Sequence, residues 1–243
     1  MISKNQLKLI RQLGQKKYRK QYNQYLVQGE KNVLELLNSP LKAVDIFATQ
    51  AFINTHQNQF PHVDFTPAEE ESLTKASTLV SNNAAIAVVD MPKADLPNNT
   101  GLILALDGVS DPGNLGTIIR VADWYGIQHI VTSTDSADAY NPKTISATMG
   151  SFVRVSVSQV ELPEYLQTLN MPIYGAFLDG QSVHTTDLSA KGVLLMGSES
   201  HGIREQCAKL VSEKITIPAF GEAESLNVAM ATGIILDNFK RQA

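Results

Sequence analysis

The chain has 243 residues, 43% of them hydrophobic, and a formal net charge of −4, which suits one large globular domain or two small ones. No apolar run reaches the length of a membrane span, and the polar N-terminus has no hydrophobic signal region, so we expect a cytoplasmic protein. The single cysteine, Cys207, excludes an internal disulfide, and the five histidines lack metal-ligand spacing, so no metal is expected.

Positive charge is concentrated at the N-terminus. Residues 1–31 contain eight of the 20 Lys and Arg residues but one of the 24 Asp and Glu residues. Because phosphate contacts supply most nucleic-acid affinity, this segment is predicted to contact RNA. The cations in question are Lys16, Lys17, Arg19 and Lys20. Tyr18, Tyr22 and Tyr25 interleave with them and could stack on bases, although a solvated helix face remains the alternative.

Helices and strands alternate over residues 1–90 and predict a small α/β domain. A helix over 4–13 ends at Gly14 and is followed by a loop rich in Lys and Tyr. Further strands are expected at 25–27, 43–48, near 63 and 85–89, and further helices at 31–38, 50–57 and from Pro67. Residues 91–100 contain two prolines without periodicity and are predicted to be a linker.

Residues 101–243 predict a second α/β domain. Its near-continuous apolar strands are typical of a mainly parallel sheet that is buried on both faces. Strands are expected at 102–106, 127–132, 153–157, 173–177, 193–196 and 215–217, and helices after Asn114 and at 142–149, 162–169 and 226–239.

Three segments with polar residues and glycines follow apolar strands in this domain: 111–120, 197–202 and 217–227. Ligands of parallel sheets bind beyond the carboxyl ends of the strands, so the three segments are expected to converge. Asn114 stands where a helix N-cap belongs. The glycine spacing matches neither G-x-G-x-x-G nor a P-loop, which disfavours dinucleotide binding.

The motifs Asp111-Pro-Gly-Asn114-x-Gly116-x-x-x-Arg120, Gly197-x-Glu199-x-x-Gly202 and Ile217-Pro…Glu224-Ser225-Leu-Asn227-Val resemble, in order and spacing, those of the SpoU (TrmH) family of RNA 2′-O-ribose methyltransferases, in the SPOUT superfamily. The resemblance covers residues 101–240. It implies a parallel sheet, flanked by helices, whose C-terminal part forms a deep trefoil knot. More weakly, residues 1–90 resemble the family's substrate-binding domain, which has a ribosomal-protein-like α/β fold.

The resemblance also implies the cofactor S-adenosylmethionine, a homodimer and a set of site residues. The implied cofactor contacts are Gly197, Ile217 and Leu226. The implied catalytic residues are Arg120, Asn114, Glu199, Ser225 and Asn227. Because an arginine side chain is not deprotonated in proteins, we expect Arg120 to anchor the ribose phosphate and stabilise the developing alkoxide rather than act as a base.

The resemblance favours ribosomal RNA as the substrate and leaves transfer RNA open. An RNA-binding protein of the same fold without activity is the other alternative, but such a protein would be expected to lack Arg120 or Asn227, and both are present. One residue departs from the family pattern: Ser146 stands where the family often has arginine, which puts a basic RNA contact there in doubt.

Overall fold

A computed structural model describes residues 2–93, 96 and 101–241. The chain divides into two compact units. The first runs up to Lys93 and includes Asp138–Val153, and the second contains the described residues of Ala94–Ala137 and Arg154–Ala243. This grouping differs from the predicted division into residues 1–90 and 101–243, because 138–153 belongs with the first unit. Most of the predicted linker, residues 94, 95 and 97–100, lies outside the described residues.

In chain order the helices and strands are α1 (Lys4–Leu13), α2 (Lys16–Tyr22), β1 (Gln24–Gln28), α3 (Glu30–Leu37), β2 (Ala43–Ala48), α4 (Gln50–His56), β3 (Phe65–Pro67), α5 (Glu70–Ala76), β4 (Ala85–Asp90), β5 (Leu102–Asp107), α6 (Pro112–Trp124), β6 (His129–Ser133), α7 (Pro142–Thr148), a 3-10 helix (Ser151–Val153), β7 (Ser156–Val160), α8 (Leu162–Gln167), β8 (Ile173–Ser182), β9 (Gly192–Gly197), α9 (Glu205–Ala208), β10 (Glu213–Thr216) and α10 (Val228–Arg241).

The first unit contains a mixed sheet in the order β1-β4-β2-β3, in which β2 and β3 are parallel and the other neighbours antiparallel. The helix expected over residues 4–13 is confirmed as α1, which begins at a capping box formed by Ser3 and Gln6. It buries Ile10 and Leu13. Tyr25 lies on β1 and is fully buried in the core, so it does not interleave with the surface cations as the sequence suggested.

Two local predictions in this unit are wrong. The segment after Gly14 is the helix α2, not a loop, and it ends at Asn23, whose φ of 54° is left-handed. The sequence of α2 has no aliphatic residues at helical spacing, which is why a loop was predicted. The buried residue of this helix is Arg19, and its partner lies in a distant part of the chain. Pro67 ends β3 rather than opening a helix, because an edge strand tolerates a residue without an N–H group.

The second unit contains a sheet in the order β10-β8-β9-β5-β6-β7. Every pair of neighbours in it is parallel, which confirms the prediction from the apolar strands. The core of this sheet is built from aliphatic side chains such as Leu104, Val131 and Leu194. The short helix α9 was not predicted. The trefoil knot remains a prediction from the family resemblance, since strand pairing does not determine how the chain threads. No helix within the described ranges is long and apolar enough to cross a membrane.

Candidate active site

The polar segments that follow β5, β9 and β10 meet at one edge of the second sheet, as the parallel strands predicted. The carboxylate Oε1 of Glu199 accepts hydrogen bonds from Asn114 Nδ2 at 3.1 Å and from Asn227 Nδ2 at 2.6 Å. Asn227 Nδ2 also donates to Asn114 Oδ1 at 3.0 Å. We call Asn114, Glu199 and Asn227 the polar cluster.

Asn114 is available for the polar cluster because it does not cap its helix. The expectation that it is the N-cap is wrong: Asp111 caps α6, and its Oδ1 accepts the Asn114 backbone N–H at 2.9 Å. Pro112 then occupies the first helical turn, where its missing N–H costs nothing. The Asn114 side chain is therefore directed to Glu199 and Asn227 instead of to its own backbone.

Asn227 joins the polar cluster to the start of α10. Its Oδ1 accepts the backbone N–H groups of Ala229 at 3.0 Å and Met230 at 3.3 Å, so its Nδ2 is left to donate to Glu199. Glu199 Oε1 also accepts the N–H of Val228 at 3.3 Å. A carboxylate at the N-terminus of a helix of this length is stabilised by the helix dipole and by these otherwise free donors.

Glu199 projects from a tight turn that favours glycine at two positions. Ser198 and Gly202 exchange backbone hydrogen bonds of 3.1 and 2.9 Å, and Gly202 has a φ of 64°. A Cβ at Gly197 would overlap the backbone of Gly202 and Ile203. The role of Gly197 in this chain is thus at least to let the turn close under Glu199.

An ion pair that the sequence analysis missed holds the far side of this turn. Asp107, which ends β5 and is 0% exposed, accepts from the backbone N–H of Arg204 at 2.8 Å and from its Nε at 2.7 Å. Arg204 Nη1 also lies 3.0 Å from Asp135 Oδ2. The bonds to Asp107 raise the pKa of Arg204, and bonds from Ser133 and then Arg204 lower the pKa of Asp135. The sequence signal that could have predicted this ion pair is Asp107 itself, an aspartate at the end of an otherwise apolar strand.

A cavity of about 690 Å³ opens among the loops after β8, β9 and β10. The cavity is lined by the three residues expected to contact the cofactor, Gly197, Ile217 and Leu226. The catalytic candidates Glu199 and Ser225 line it too. The volume lies in the range of small-molecule sites.

The walls of this cavity suit S-adenosylmethionine. Met196, Ile203 and Ile235 supply apolar surface for an adenine ring. Within the described chain, no backbone N–H or C=O group of residues 217–226 takes part in a backbone hydrogen bond. Those groups can therefore pair with the edge of a base and with the polar ends of a ligand.

The structure does not bring Arg120 or Ser225 into the polar cluster. Both are exposed, and neither side chain has a hydrogen bond or an ion pair to another described residue. At 3.6 residues per turn, Arg120 lies about 120° around α6 from Asn114. Three of the five catalytic candidates are therefore in mutual contact, and the other two face solvent.

The predicted RNA contacts need one correction. The Arg19 side chain is 1% exposed, its Nη2 lies 2.6 Å from Asp138 Oδ2, and its Nη1 donates to the Leu13 carbonyl at 2.9 Å. It is therefore a buried structural residue of the first unit and cannot contact RNA from this position. Lys16, Lys17 and Lys20 are exposed and remain candidates.

The departure at Ser146 lies on α7, where the side chain is half-buried. Two cations near it in the sequence could have replaced the missing arginine. Arg154 is engaged instead by Asp123, with Nη2 2.9 Å from Oδ2. Lys143 is exposed on α7.

Comparison with known proteins agrees with the site. Residues 101–237 match the model of the SpoU rRNA Methylase family, and residues 4–87 match that of the MRM3-like substrate binding domain. The chain is 30% identical to the 23S rRNA (guanosine(2553)-2′-O)-methyltransferase RlmP of Bacillus subtilis, over 96% of each chain.

Several solved structures resemble the whole chain. A TrmH-family protein from Porphyromonas gingivalis is 36% identical with a TM-score of 0.90, and the match covers 100% of both chains. An AdoMet-bound rRNA methyltransferase from Sinorhizobium meliloti is 28% identical with a TM-score of 0.86, and the match covers 99% of this chain and 97% of that one. The chain therefore belongs to the SpoU rRNA methylase family.

Proposed function

We propose that this protein methylates a ribose 2′-hydroxyl of 23S ribosomal RNA with S-adenosylmethionine as the methyl donor. The observation that carries the proposal is the polar cluster of Asn114, Glu199 and Asn227 next to the cavity that Ile217 and Leu226 line. Further support comes from the name of the Bacillus subtilis relative, which specifies 2′-O-methylation of 23S rRNA.

The residues of the chain account for binding and positioning. S-adenosylmethionine, when bound, would supply a methyl group activated by a positively charged sulfur. The methyl carbon would pass from the sulfur to the 2′-oxygen, and the hydroxyl proton would leave to water or phosphate. Ile217, Leu226 and the unpaired backbone groups between them would hold the cofactor. Glu199 is fixed through Oε1, so its Oε2 is available to accept a ribose hydroxyl. Holding the reacting atoms about 3–3.5 Å apart supplies much of the rate in such a displacement.

Arg120 acts in this proposal as an anchor. Its guanidinium is exposed and has no acidic partner among the described residues. Because arginine is a cation in proteins, this group can bind an RNA phosphate through two parallel hydrogen bonds. The same charge stabilises negative charge that develops on the 2′-oxygen as its proton leaves to water or phosphate. Ser225 lines the cavity and would orient the ribose.

The anchor role predicts the effect of Arg120→Ala. Methyl transfer should fall by about 100-fold or more, as for other lost transition-state contacts, while cofactor affinity measured by calorimetry stays unchanged. Lys209→Ala, which removes an exposed cation of the same unit, is the control and should keep full activity. Wild-type transfer rates in Arg120→Ala would contradict the assignment.

We further propose that the protein is a homodimer that uses the exposed faces of α6 and α10. Trp124 on α6 is 85% exposed and Met230 on α10 is 63% exposed, and aromatic and methionine side chains are enriched in protein–protein interfaces. Arg120 precedes Trp124 by one helical turn, so the same face would carry the anchor to the interface. Trp124→Glu should shift the mass in sedimentation from dimer to monomer and abolish transfer. A monomeric wild-type protein would refute the proposal.

The substrate class is tested by methylation in vitro. Total RNA from a strain that lacks the protein is incubated with purified enzyme and labelled S-adenosylmethionine, and the labelled nucleotide is mapped. We expect label on one 2′-oxygen of 23S rRNA. Label in transfer RNA would move the proposal to that substrate, and cofactor binding without transfer to any RNA would indicate a binding protein without activity.

A further inference from the structure

A groove of about 410 Å³ lies between α1 and the start of α2 in the first unit. Its lining combines three cations, two amides, one aromatic ring and one leucine, which are Lys4, Lys8, Arg11, Gln12, Gln15, Tyr18 and Leu7. Lys4, Lys8 and Arg11 belong to the basic segment of residues 1–31, and Tyr18 is one of its rings. The sequence analysis assigned no role to Gln12 or Gln15.

The three cations form a stripe along one face of α1. Lys4, Lys8 and Arg11 are spaced by four and three residues, which places them on the same face over a rise of about 10 Å. All three are exposed, and within the described chain none is in an ion pair. Residues 2–29 contain no Asp or Glu, so neither α1 nor α2 carries a carboxylate that could pair with the stripe. The stripe therefore presents a row of donors without ion-pair partners for phosphate groups.

The Tyr18 ring gives the groove an aromatic wall. It is half-buried, and the ring of Tyr22 lies nearly parallel to it, with centroids 6.4 Å apart and planes at 17°. The Nζ of Lys17 is 5.8 Å from the Tyr18 centroid. The ring therefore lies at the groove in contact with Tyr22 and Lys17, and its part that lines the groove is a surface on which a base can stack.

The amides of Gln12 and Gln15 complete the chemistry of the groove. Neither side chain has a hydrogen bond to another residue in the described ranges. Each amide offers a carbonyl acceptor and two N–H donors, which is the pattern that pairs with the edge of a nucleobase.

We propose that this groove binds one unpaired nucleotide of the RNA substrate. The base lies against Tyr18, its edge pairs with Gln12 or Gln15, and the flanking phosphates lie on the cation stripe of α1. An unpaired nucleotide fits better than a duplex, because a base within a duplex has neither a free face for stacking nor a free pairing edge. The inference depends on RNA being the substrate, as proposed above.

The cation stripe is tested by the salt dependence of RNA binding. The probes are a fluorescein-labelled single strand of mixed sequence and the same strand in a duplex. The variant replaces Lys4, Lys8 and Arg11 with Gln; the control replaces Lys42, Lys75 and Lys93, which are exposed lysines of the same unit, and so has the same net charge. Each phosphate contact to a single strand contributes about 0.7 to the slope of log affinity against log salt, so the stripe variant should lose about 2. The control slope should stay at the wild-type value.

The aromatic wall is tested by Tyr18→Ala and Tyr18→Phe. Loss of one stacked base weakens binding by about 5- to 150-fold, so Tyr18→Ala should lose that much affinity for the single strand and little for the duplex. Tyr18→Phe keeps the ring and should bind normally, which separates stacking from a folding defect. Circular dichroism melts of both variants check the fold.

Three results would overturn the inference. The first is a stripe variant with the wild-type slope, and the second is a Tyr18→Ala variant that loses equal affinity for both probes. The third is polyglutamate binding with the same dependence on the stripe, which would mark a surface for any polyanion. These outcomes are independent of the proposed function, because the wild-type protein can still be assayed for 2′-O-methyl transfer when the groove variants show no effect.

Discussion

Replacement of Arg204 by alanine tests how the Glu199 turn is held in place. Arg204 follows that turn directly and pairs with the fully buried carboxylate of Asp107. The variant removes the guanidinium but keeps the backbone N–H of residue 204, which donates to Asp107 at 2.8 Å. Asp107 then remains a buried carboxylate without a cation, and its hydrogen-bond donors are the backbone N–H of residue 204 and the Cys207 thiol.

The size of the effect follows from the burial of the partner. Breaking a buried ion pair from one side costs about 3–5 kcal/mol, and the retained backbone donor places the expected loss near the lower end, at about 3 kcal/mol. Arg154→Ala is a matched control, because the Arg154 side chain is 47% exposed against 46% for Arg204. Its partner Asp123 is 22% exposed, so the control should lose about 1 kcal/mol or less.

Cys207 provides the assay. It is the chain's single cysteine and is buried next to the ion pair, so the rate of thiol labelling across a urea titration reports opening of this region. The double variant Arg204→Ala with Asp107→Asn should recover most of the loss, since no buried charge remains. Equal losses for Arg204→Ala and Arg154→Ala, or a double variant that is as unstable as the sum of the two singles, would refute the reasoning.

Two further predictions concern the same region. Gly197→Ala places a Cβ on the backbone of Gly202, so the turn must shift. We expect the free energy of unfolding to fall by about 1–3 kcal/mol and calorimetry to show weaker cofactor binding. Gly101→Ala, which has open space around its Cβ, is the control and should change neither quantity. Burial, followed by the Asp107 charge, raises the pKa of the Cys207 thiol from 9.0 to about 12, so the unfolded chain loses the proton first as pH rises. The contribution of Cys207 to the free energy of unfolding should therefore be fully present below about pH 9 and be lost as pH approaches 12, a slope that Cys207→Ala should lack.

The polar cluster could be predicted from sequence because its members occupy equivalent places in a parallel sheet. Asn114 and Glu199 follow the buried strands β5 and β9, and Asn227 follows the edge strand β10. Parallel strands that are neighbours or near neighbours end at one edge. The N-cap of α6 was misassigned because Asp111 and Asn114 are both good capping residues. Pro112 was the signal that separates the two, because proline favours the first position of a helix. The N-cap is then the residue before Pro112, which is Asp111.

The burial of Arg19 could not be predicted from its sequence neighbours. Its partner, Asp138, is 119 residues away, and the segment that contains Asp138 interrupts the second unit in sequence while belonging to the first in space. No periodicity within residues 16–22 records such a contact. Charge counting therefore identified the basic segment correctly but could not tell its one buried arginine from the exposed lysines beside it.

Arg19 and Arg120 differ in burial, and this difference determines whether their guanidinium groups are free to bind a phosphate. Arg19 is not free to bind a phosphate, because its guanidinium donates to Asp138 and to the Leu13 carbonyl. Arg120 lies on an amphipathic helix with Ile118 and Ile119 buried, yet its own donors have no partner among the described residues. An arginine that the fold leaves exposed beside an exposed Trp124 has its donors free for a phosphate, and the apolar neighbour supplies a surface for a second copy. If both groups meet on one dimer face, Trp124→Glu should abolish methyl transfer and Arg120→Ala should lower it by about 100-fold or more, and neither change should alter the polar cluster.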